Sequence, residues 1–418
     1  MPLTLHTAPV VLPMTGAEPI RDGAVLVRDD RIVAVGSNAA LAGSEQGAGA
    51  RERAWRGVLM PGLVNAHAHL QYTDFGDLAL SGLEFPEWIR TLTARRSTFS
   101  DVMWQESARR GVHHMLRSGT TAAADVVTDP CVLVSIGRSG LRGIGYVEVI
   151  ADDAMWTSGR REAFLDTLQG GGGGRELGVS PHTPYTVGTA VFAECVAIAR
   201  ERGLRLHPHL AETAHEAEFI RHGTGRFADM NRGFGMAMEL LDGGSGGGPA
   251  AYLDTFGGLG KDVHVAHGVH LGPDDRELLR ERGTPVALCV RSNAILAAGE
   301  PPIAAYLAEG SPIALGSDSL ASSPSLDMWE EAAAARELAL RQGYAGDDLD
   351  RRLVEAVTVD GAATMGGLAG AGTLRPGGLA DLAAFDVPTD GDPYAALLAH
   401  GTGSCVATVL GGRLVHRR

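Results

Sequence analysis

The sequence predicts an α/β fold: a (β/α)8 TIM-type barrel with a smaller β-sandwich domain built from both chain ends. From residue 58 onward, short apolar segments typical of buried strands alternate with amphipathic segments typical of helices. This alternation indicates a parallel sheet with helical crossovers. Both chain ends instead carry short β-like runs and turns. A doubly wound open sheet is the alternative, but no Gly-x-Gly-x-x-Gly turn follows the first predicted barrel strand.

Each predicted element follows from its local pattern. Residues 1–56 form the first part of the β domain, with a hairpin around the turn at 28–30. Residues 57–371 form the barrel, and its outer helices include the Ala-, Glu- and Leu-rich segment 327–340. Residues 372–418 complete the β domain. The eight predicted barrel strands are 57–63, 120–126, 143–149, 177–180, 204–209, 262–267, 285–289 and 312–315.

Two glycine runs, at 170–174 and 243–248, interrupt this alternation. A phosphate-binding loop needs a glycine-rich turn that leads into a Gly-Lys-Ser/Thr helix start, and neither run has one. We therefore expect both runs to be flexible surface insertions.

The composition argues against several classes of partner. The net charge of −14 disfavours nucleic acid and anionic membranes, and no run of about 18 apolar residues is present to span a bilayer. No basic segment followed by an apolar run marks a signal peptide. The four cysteines lack metal-type spacing, which favours a reduced, cytoplasmic setting. We expect a small-molecule substrate, and a homodimer is one assembly that the sequence leaves open.

A pair of histidines is the first sign of a functional site. His67 and His69 lie two residues apart after an apolar segment, so a strand would place both imidazoles on one face. Such a pair suits zinc or iron(II), with two core histidines as the alternative. Catalytic groups gather at the carboxyl ends of barrel strands. Ionisable residues at the ends of four other predicted strands are His182, His209 with Glu212, His267, and Asp318.

With these residues in place, the sequence resembles the amidohydrolase superfamily, in its branch of metal-dependent deaminases. The resemblance extends over nearly the whole chain, including 22–25 and 372–386 in the β segments. It implies that His67, His69, His209 and Asp318 hold one metal ion. It also implies that Glu212 and His267 handle protons and that His182 contacts the substrate.

The chemistry of these residues agrees with that assignment. Three neutral histidines and one carboxylate leave room for a water and suit zinc or iron(II), which lowers the pKa of a bound water from about 15.7 to about 7. Asp318 would accept the proton of that water, and Glu212 would protonate the neighbouring ring nitrogen, as a well-placed general acid does. His267 would stabilise charge as the tetrahedral intermediate forms.

The position of the only lysine argues against two related chemistries. Binuclear members of the superfamily usually bridge two metals with a carboxylated lysine after the fourth strand, where this chain has His182. Lys261 instead precedes the sixth predicted strand. A lysine-bridged hydantoinase or dihydroorotase, and a Schiff-base enzyme, are therefore disfavoured.

The substrate prediction depends on a tryptophan and several arginines. Trp88 follows the first barrel strand and could cover an aromatic base, while Arg95 and Arg291 are candidates for binding an anionic group. This combination resembles the aminodeoxyfutalosine deaminases of menaquinone biosynthesis, which release futalosine and ammonia. Alternatives within the branch are deaminases of adenosine, adenosylhomocysteine or guanine, and triazine deaminases or chlorohydrolases. A non-catalytic scaffold is a remote alternative, because such proteins usually lose metal ligands.

Overall fold

A computed structural model describes residues 3–418, with the side chain of Pro86 left out. Its strands, in chain order, are β1 Thr4–Val11, β2 Ile20–Arg28, β3 Arg31–Ser37, β4 Arg51–Ala54, β5 Val58–Pro61, β6 Leu63–Ala68, β7 Thr120–Val127, β8 Arg142–Val149, β9 Glu176–Pro181, β10 His209–Leu210, β11 Val265–His267, β12 Val286–Leu288, β13 Ile313–Leu315, β14 Leu382–Phe385, β15 Cys405–Leu410 and β16 Arg413–Arg417.

The helices, in chain order, are α1 Asn38–Ala42, α2 Phe85–Arg96, α3 Asp101–Arg117, α4 Leu133–Arg138, α5 Asp153–Met155, α6 Arg161–Gly170, α7 Thr189–Glu201, α8 Ala214–His222, α9 Arg226–Phe234, α10 Pro249–Asp254, α11 Pro273–Arg282, α12 Val290–Ile295, α13 Ile303–Ala308, α14 Met328–Arg341, α15 Leu349–Ala356, α16 Val359–Thr364 and α17 Pro393–His400. Most of the helices follow barrel strands, whereas α1 and α17 lie between strands of the sheet formed by both chain ends. Short 3-10 turns occupy Leu70–Phe75, Leu78–Leu80, Pro130–Val132 and Leu368–Gly370, and a π turn occupies Trp156–Arg160.

Two four-stranded parallel sheets, β6 to β9 and β10 to β13, join at both edges to form the barrel. Leu206 bridges Val179 on one side and Val263 on the other, and Ala68 pairs with Asp318 at the remaining seam. The strands β6 and β7 are buried along their whole length, as expected when helices cover a parallel sheet. The predicted α/β fold, a TIM-type barrel with a smaller β domain, is confirmed.

The remaining strands form one mixed sheet that draws on both chain ends. Its main path runs β16, β15, β14, β5, β1, β2, β3, and β4 pairs with β1 beside it. The antiparallel pairing of β14 with β5 joins the C-terminal and N-terminal parts. The prediction that the two β-rich ends combine into one unit is therefore confirmed.

The first predicted barrel strand, 57–63, is wrong in its extent. Residues 58–61 are β5, which pairs with β1 and β14 of the mixed sheet, and the barrel begins at Leu63 with β6. The chain changes sheets at Gly62, whose amide donates to the carbonyl of Asp381. A Cβ at this position would lie 2.1 Å from Oγ1 of Thr121, so only glycine fits the crossing.

The structure also bears on several smaller predictions. The helix predicted at 327–340 is α14, and the side chain of Asp327 caps it by accepting from the amide of Trp329. All four cysteines are free thiols. Across the described residues 3–418, no helix combines the length and the apolar character that crossing a bilayer would require.

Candidate active site and metal centre

The predicted ligand residues meet at the carboxyl ends of β6, β10 and β13. The ligand atoms of His67, His69 and His209 all lie within 4.8 Å of one another. The Nε2 atoms of His69 and His209 are 3.2 Å apart. Oδ1 of Asp318 lies 3.7 Å from Nε2 of His67 and 3.6 Å from Nε2 of His69. The fold thus converges three imidazoles and one carboxylate from three separate strands on one point.

Asn65 fixes the position of the Asp318 segment relative to β6, the first strand of the barrel. Its side-chain oxygen accepts from the amides of His67 and Ser317, and its amide group donates to Oγ of Ser317 at 2.7 Å. These contacts tie the end of β6 to the segment after β13. Asp318 itself has a φ of 58°, a left-handed conformation that is uncommon outside glycine and often marks a functional position.

A buried chain of hydrogen bonds sets the tautomer of His67. Nδ1 of His207 lies 2.9 Å from the backbone carbonyl of His264, so this nitrogen carries a proton and donates it. Nε2 of His207 is then an acceptor, and it lies 2.8 Å from Nδ1 of His67. His67 therefore carries its proton on Nδ1 and has its lone pair on Nε2. Sequence reasoning missed His207, although its spacing from His209 repeats that of His67 and His69.

The donor set fits a divalent metal of the zinc type. Nε2 of His67 is buried, yet it has no hydrogen-bond partner among the described residues. Burial, and then the neighbouring histidines, lower the pKa of His67 and of His209, so both rings are neutral and can act as ligands. Burial would raise the pKa of Asp318, but His69, His267 and hydrogen bonds from two serines outweigh it, so that pKa is lowered. Neutral imidazoles with a carboxylate suit zinc or iron(II).

Glu212 and His267 lie beside this centre. Oε1 of Glu212 is 3.9 Å from Nε2 of His267. Burial raises the pKa of Glu212 well above its ordinary value, and the charges of Asp318 and Glu216 add to this, which favours the protonated form of the carboxyl. Burial lowers the pKa of His267 to about 4, and its Nδ1 accepts from the side-chain amide of Asn293 at 3.2 Å. His267 thus directs an N–H at Nε2 toward the site.

The turn that presents Glu212 is held by the side chain of Glu216, a residue that the sequence analysis did not identify. The side chain of Glu216 accepts from the amides of Ala211 at 2.7 Å and Glu212 at 2.9 Å. Ala211 has a φ of 54°, which is unfavourable for a residue with a Cβ. The buried carboxylate therefore holds a strained turn between a predicted metal ligand and a predicted acid.

A cavity of about 240 Å³ opens over the centre. Its polar wall includes His182, whose Nδ1 lies 2.7 Å from Oγ1 of Thr186. Trp88 also lines the cavity, and its indole N–H donates to the carbonyl of Ala321 at 2.8 Å. The apolar lining residues are Phe85, Trp88, Ile89, Leu92, Met230, Phe234, Met236 and Leu296. The cavity thus combines a cluster of reactive polar groups with a largely apolar lining.

The sequence profile of the amidohydrolase family matches residues 58–415. The chain belongs to the amidohydrolase family. A 5-methylthioadenosine/S-adenosylhomocysteine deaminase of Halobacterium salinarum is 34% identical over 387 residues, which is 88% of this chain and 81% of that protein. The predicted enzyme class, an amidohydrolase acting on C–N bonds in the deaminase branch, is confirmed.

Solved structures support the fold of this amidohydrolase. A zinc-bound adenosine deaminase of Xanthomonas campestris aligns with a TM-score of 0.80 at 24% identity, covering 99% of this chain and 93% of that one. An aminofutalosine deaminase of Helicobacter pylori, in complex with methylthio-coformycin, aligns with a TM-score of 0.84 at 17% identity, covering 99% and 100%. Because both sequence identities are low, the similarity to these two structures is evidence for the fold alone.

Two of the predicted anion-binding arginines lie away from the cavity of this amidohydrolase. Arg95 pairs with Asp77 and lies over the ring of Phe75, 4.6 Å from its centroid. Arg291 forms an ion pair with Glu330 at 2.5 Å. Neither side chain lines the cavity, and each is paired with an acidic partner. The neighbouring Arg96 does line it.

Proposed function

We propose that this amidohydrolase is a metal-dependent deaminase of adenine nucleosides that carry a small, apolar group at the 5′ carbon. The carrying observation is the single cavity that joins the histidine and aspartate cluster to an apolar wall. The polar end suits hydrolysis of an amino-substituted ring, and the apolar end suits a 5′-methylthio or 5′-deoxy group. The deaminase relative from Halobacterium salinarum, whose name includes 5-methylthioadenosine, supports the same reading.

Aminodeoxyfutalosine, the first expectation from the sequence, becomes a secondary candidate. That expectation depended on Arg95 and Arg291 binding a carboxylate, and both are engaged with acidic neighbours outside the cavity. Arg96 lines the cavity, but it pairs with Asp129 at 3.1 Å. The apolar wall would leave a substrate carboxylate without a partner, which is costly in a buried site.

We assign His67, His69, His209 and Asp318 as the ligands of one zinc or iron(II) ion. The bound ion would supply an activated water at neutral pH. Glu212, whose raised pKa favours the protonated form, donates its proton to the ring nitrogen beside the attacked carbon. Asp318 accepts a proton from the attacking water and transfers it to the departing amine. His267 donates its Nε2 hydrogen to the developing negative charge.

The net reaction adds water to the ring carbon and releases ammonia, so that the 6-amino purine becomes a 6-oxo purine. Trp88 and the other apolar side chains that line the cavity exclude water from it. His182 lies in the polar wall of the cavity, in contact with His209, with ring centroids 4.8 Å apart. Its role in this scheme is to contact the sugar of the substrate.

An ammonia-release assay over a panel of amines tests the proposal. The panel contains 5′-methylthioadenosine, 5′-deoxyadenosine, S-adenosylhomocysteine, adenosine, aminodeoxyfutalosine, guanine and an amino-triazine. We expect kcat/KM for 5′-methylthioadenosine to exceed that for adenosine by about 10–200-fold, the range for small groups in an apolar pocket. A best rate with aminodeoxyfutalosine, guanine or the triazine would contradict the substrate assignment. Two bound metal ions per chain in the active enzyme would contradict the ligand assignment.

A further inference from the structure

One buried carboxylate in the cavity has no part in the proposed reaction. Glu148 lies near the carboxyl end of β8, and its side chain is 4% exposed. The register of β8 with β9 sets Glu148 opposite Ser180, two residues before His182. Glu148 and His182 therefore share the polar wall of the cavity, next to the metal centre.

Only one oxygen of the Glu148 carboxylate accepts a hydrogen bond from the described residues. The hydroxyl of Thr128 donates to Oε2 of Glu148 at 2.5 Å. Since that hydroxyl has a single hydrogen, the hydroxyl of Tyr72, 3.2 Å away, donates to Thr128 in turn. Oε1 of Glu148 accepts no hydrogen bond from any residue of the described chain. This two-step chain fixes the carboxylate with its second oxygen directed toward the cavity.

The oxygen of Glu148 that has no hydrogen bond lies near a ring nitrogen of His182 that also has none. Oε1 of Glu148 lies 3.9 Å from Nε2 of His182, which is too far for a hydrogen bond. Nε2 of His182 also has no hydrogen-bond partner in the part of the chain that the structure describes. A hydroxyl oxygen placed between the two atoms would reach both at about 2.7–3.0 Å. It would donate to the carboxylate and exchange a second hydrogen bond with the imidazole.

We infer that Glu148 and His182 form a subsite for the vicinal ribose hydroxyls of the nucleoside. This inference rests on the proposed function and specifies which part of the substrate the polar wall recognises. A carboxylate accepts hydrogen bonds from both hydroxyls of a cis-diol, and hydrogen bonds to a charged group are stronger than neutral ones. The apolar wall leaves the sugar hydroxyls few other partners.

A second metal ion is the competing occupant of this wall. Glu148, His182 and His209 each offer a ligand atom, and these atoms lie within 4.8 Å of one another. Two features favour the diol. Oε2 of Glu148 is already hydrogen-bonded, and the guanidinium of Arg96, which lines the same wall and interacts with Glu148, adds positive charge that disfavours another cation.

The test compares adenosine with 2′,3′-dideoxyadenosine, which lacks both hydroxyls. We measure kcat/KM by ammonia release for the native enzyme, for Glu148→Gln and for Glu148→Ala. The control is Glu87→Gln, which makes the same chemical change at an exposed residue of α2 near the cavity mouth. The ratio of the two substrates within one variant is independent of the fraction of folded protein. Metal content is measured for every variant.

We expect the native enzyme and Glu87→Gln to prefer adenosine by about 10²-fold, the value of one to two hydrogen bonds to a charged group. Both Glu148 variants should reduce that preference at least tenfold, with metal content unchanged. An unchanged preference in both Glu148 variants would overturn the subsite. Loss of one of two bound metal ions in Glu148→Gln would replace it with a cation site. Absence of ammonia release from every nucleoside in the native enzyme would overturn the proposed function itself.

Discussion

Replacing His207 with alanine tests whether the buried histidine chain prepares the metal centre. His207 is fully buried and does not line the cavity, so it does not contact a substrate bound there. Its Nε2 accepts the Nδ1 hydrogen of His67, and this contact leaves Nε2 of His67 free for a metal. The alanine variant removes the acceptor, so His67 has a buried donor without a partner or adopts the other tautomer.

The expected magnitude follows from that single lost contact. A buried donor left unsatisfied costs about 1–3 kcal/mol, and about 1.4 kcal/mol corresponds to a tenfold change in an equilibrium constant. Loss of a hydrogen bond behind a metal ligand typically weakens metal binding by about 10–100-fold. We therefore expect the zinc dissociation constant of His207→Ala to rise by about 10–100-fold.

Zinc affinity is measured by competition with a chelator of known strength, independently of catalysis. The control is His264→Phe, because the ring of His264 stacks on that of His207 at a centroid distance of 3.7 Å and hydrogen-bonds to the carbonyl of Ala66, not to the ring of His67. The backbone carbonyl that fixes the tautomer of His207 is kept in this control. Native zinc affinity in His207→Ala, or an equal loss in both variants, would refute the reasoning.

Two further predictions concern buried carboxyl groups. Glu212→Gln keeps the shape but cannot donate its proton, so kcat should fall by about 10²–10⁴-fold with unchanged metal content; near-native turnover would assign Glu212 a structural role. Burial raises the pKa of Glu331 from 4.5 to about 8. The native carboxyl keeps its proton where the unfolded one loses it, so this group makes stability fall as pH rises from about 4.5 to about 8. Glu331→Gln should therefore gain stability relative to the native protein across that window in urea unfolding, and parallel pH profiles would exclude the effect.

The sequence alone determined the fold class and placed the residues of the proposed metal centre at strand ends, and the resemblance to the amidohydrolase superfamily implied their role as ligands. Strand and helix periodicity is a local property, so the alternation after residue 58 predicted the barrel. In a parallel barrel the carboxyl ends of all strands face the same side. His67, His209 and Asp318 could therefore be placed together from their positions after strands, although they are far apart in the chain. The structure brings them together, and their catalytic roles stay predictions.

Tertiary structure alone decided which charged side chains reach the cavity. Arg95 and Arg96 are adjacent in α2, yet Arg95 turns outward to Asp77 and Arg96 lines the cavity. The roles of Glu148 and His207 depend on their partners, Thr128 and His182 for Glu148 and His67 and His264 for His207, which are distant in the sequence. The change of sheet at Gly62 likewise depends on contacts with Thr121 and Asp381. Side-chain direction and long-range pairing arise only when the whole chain packs, and local sequence patterns do not encode them.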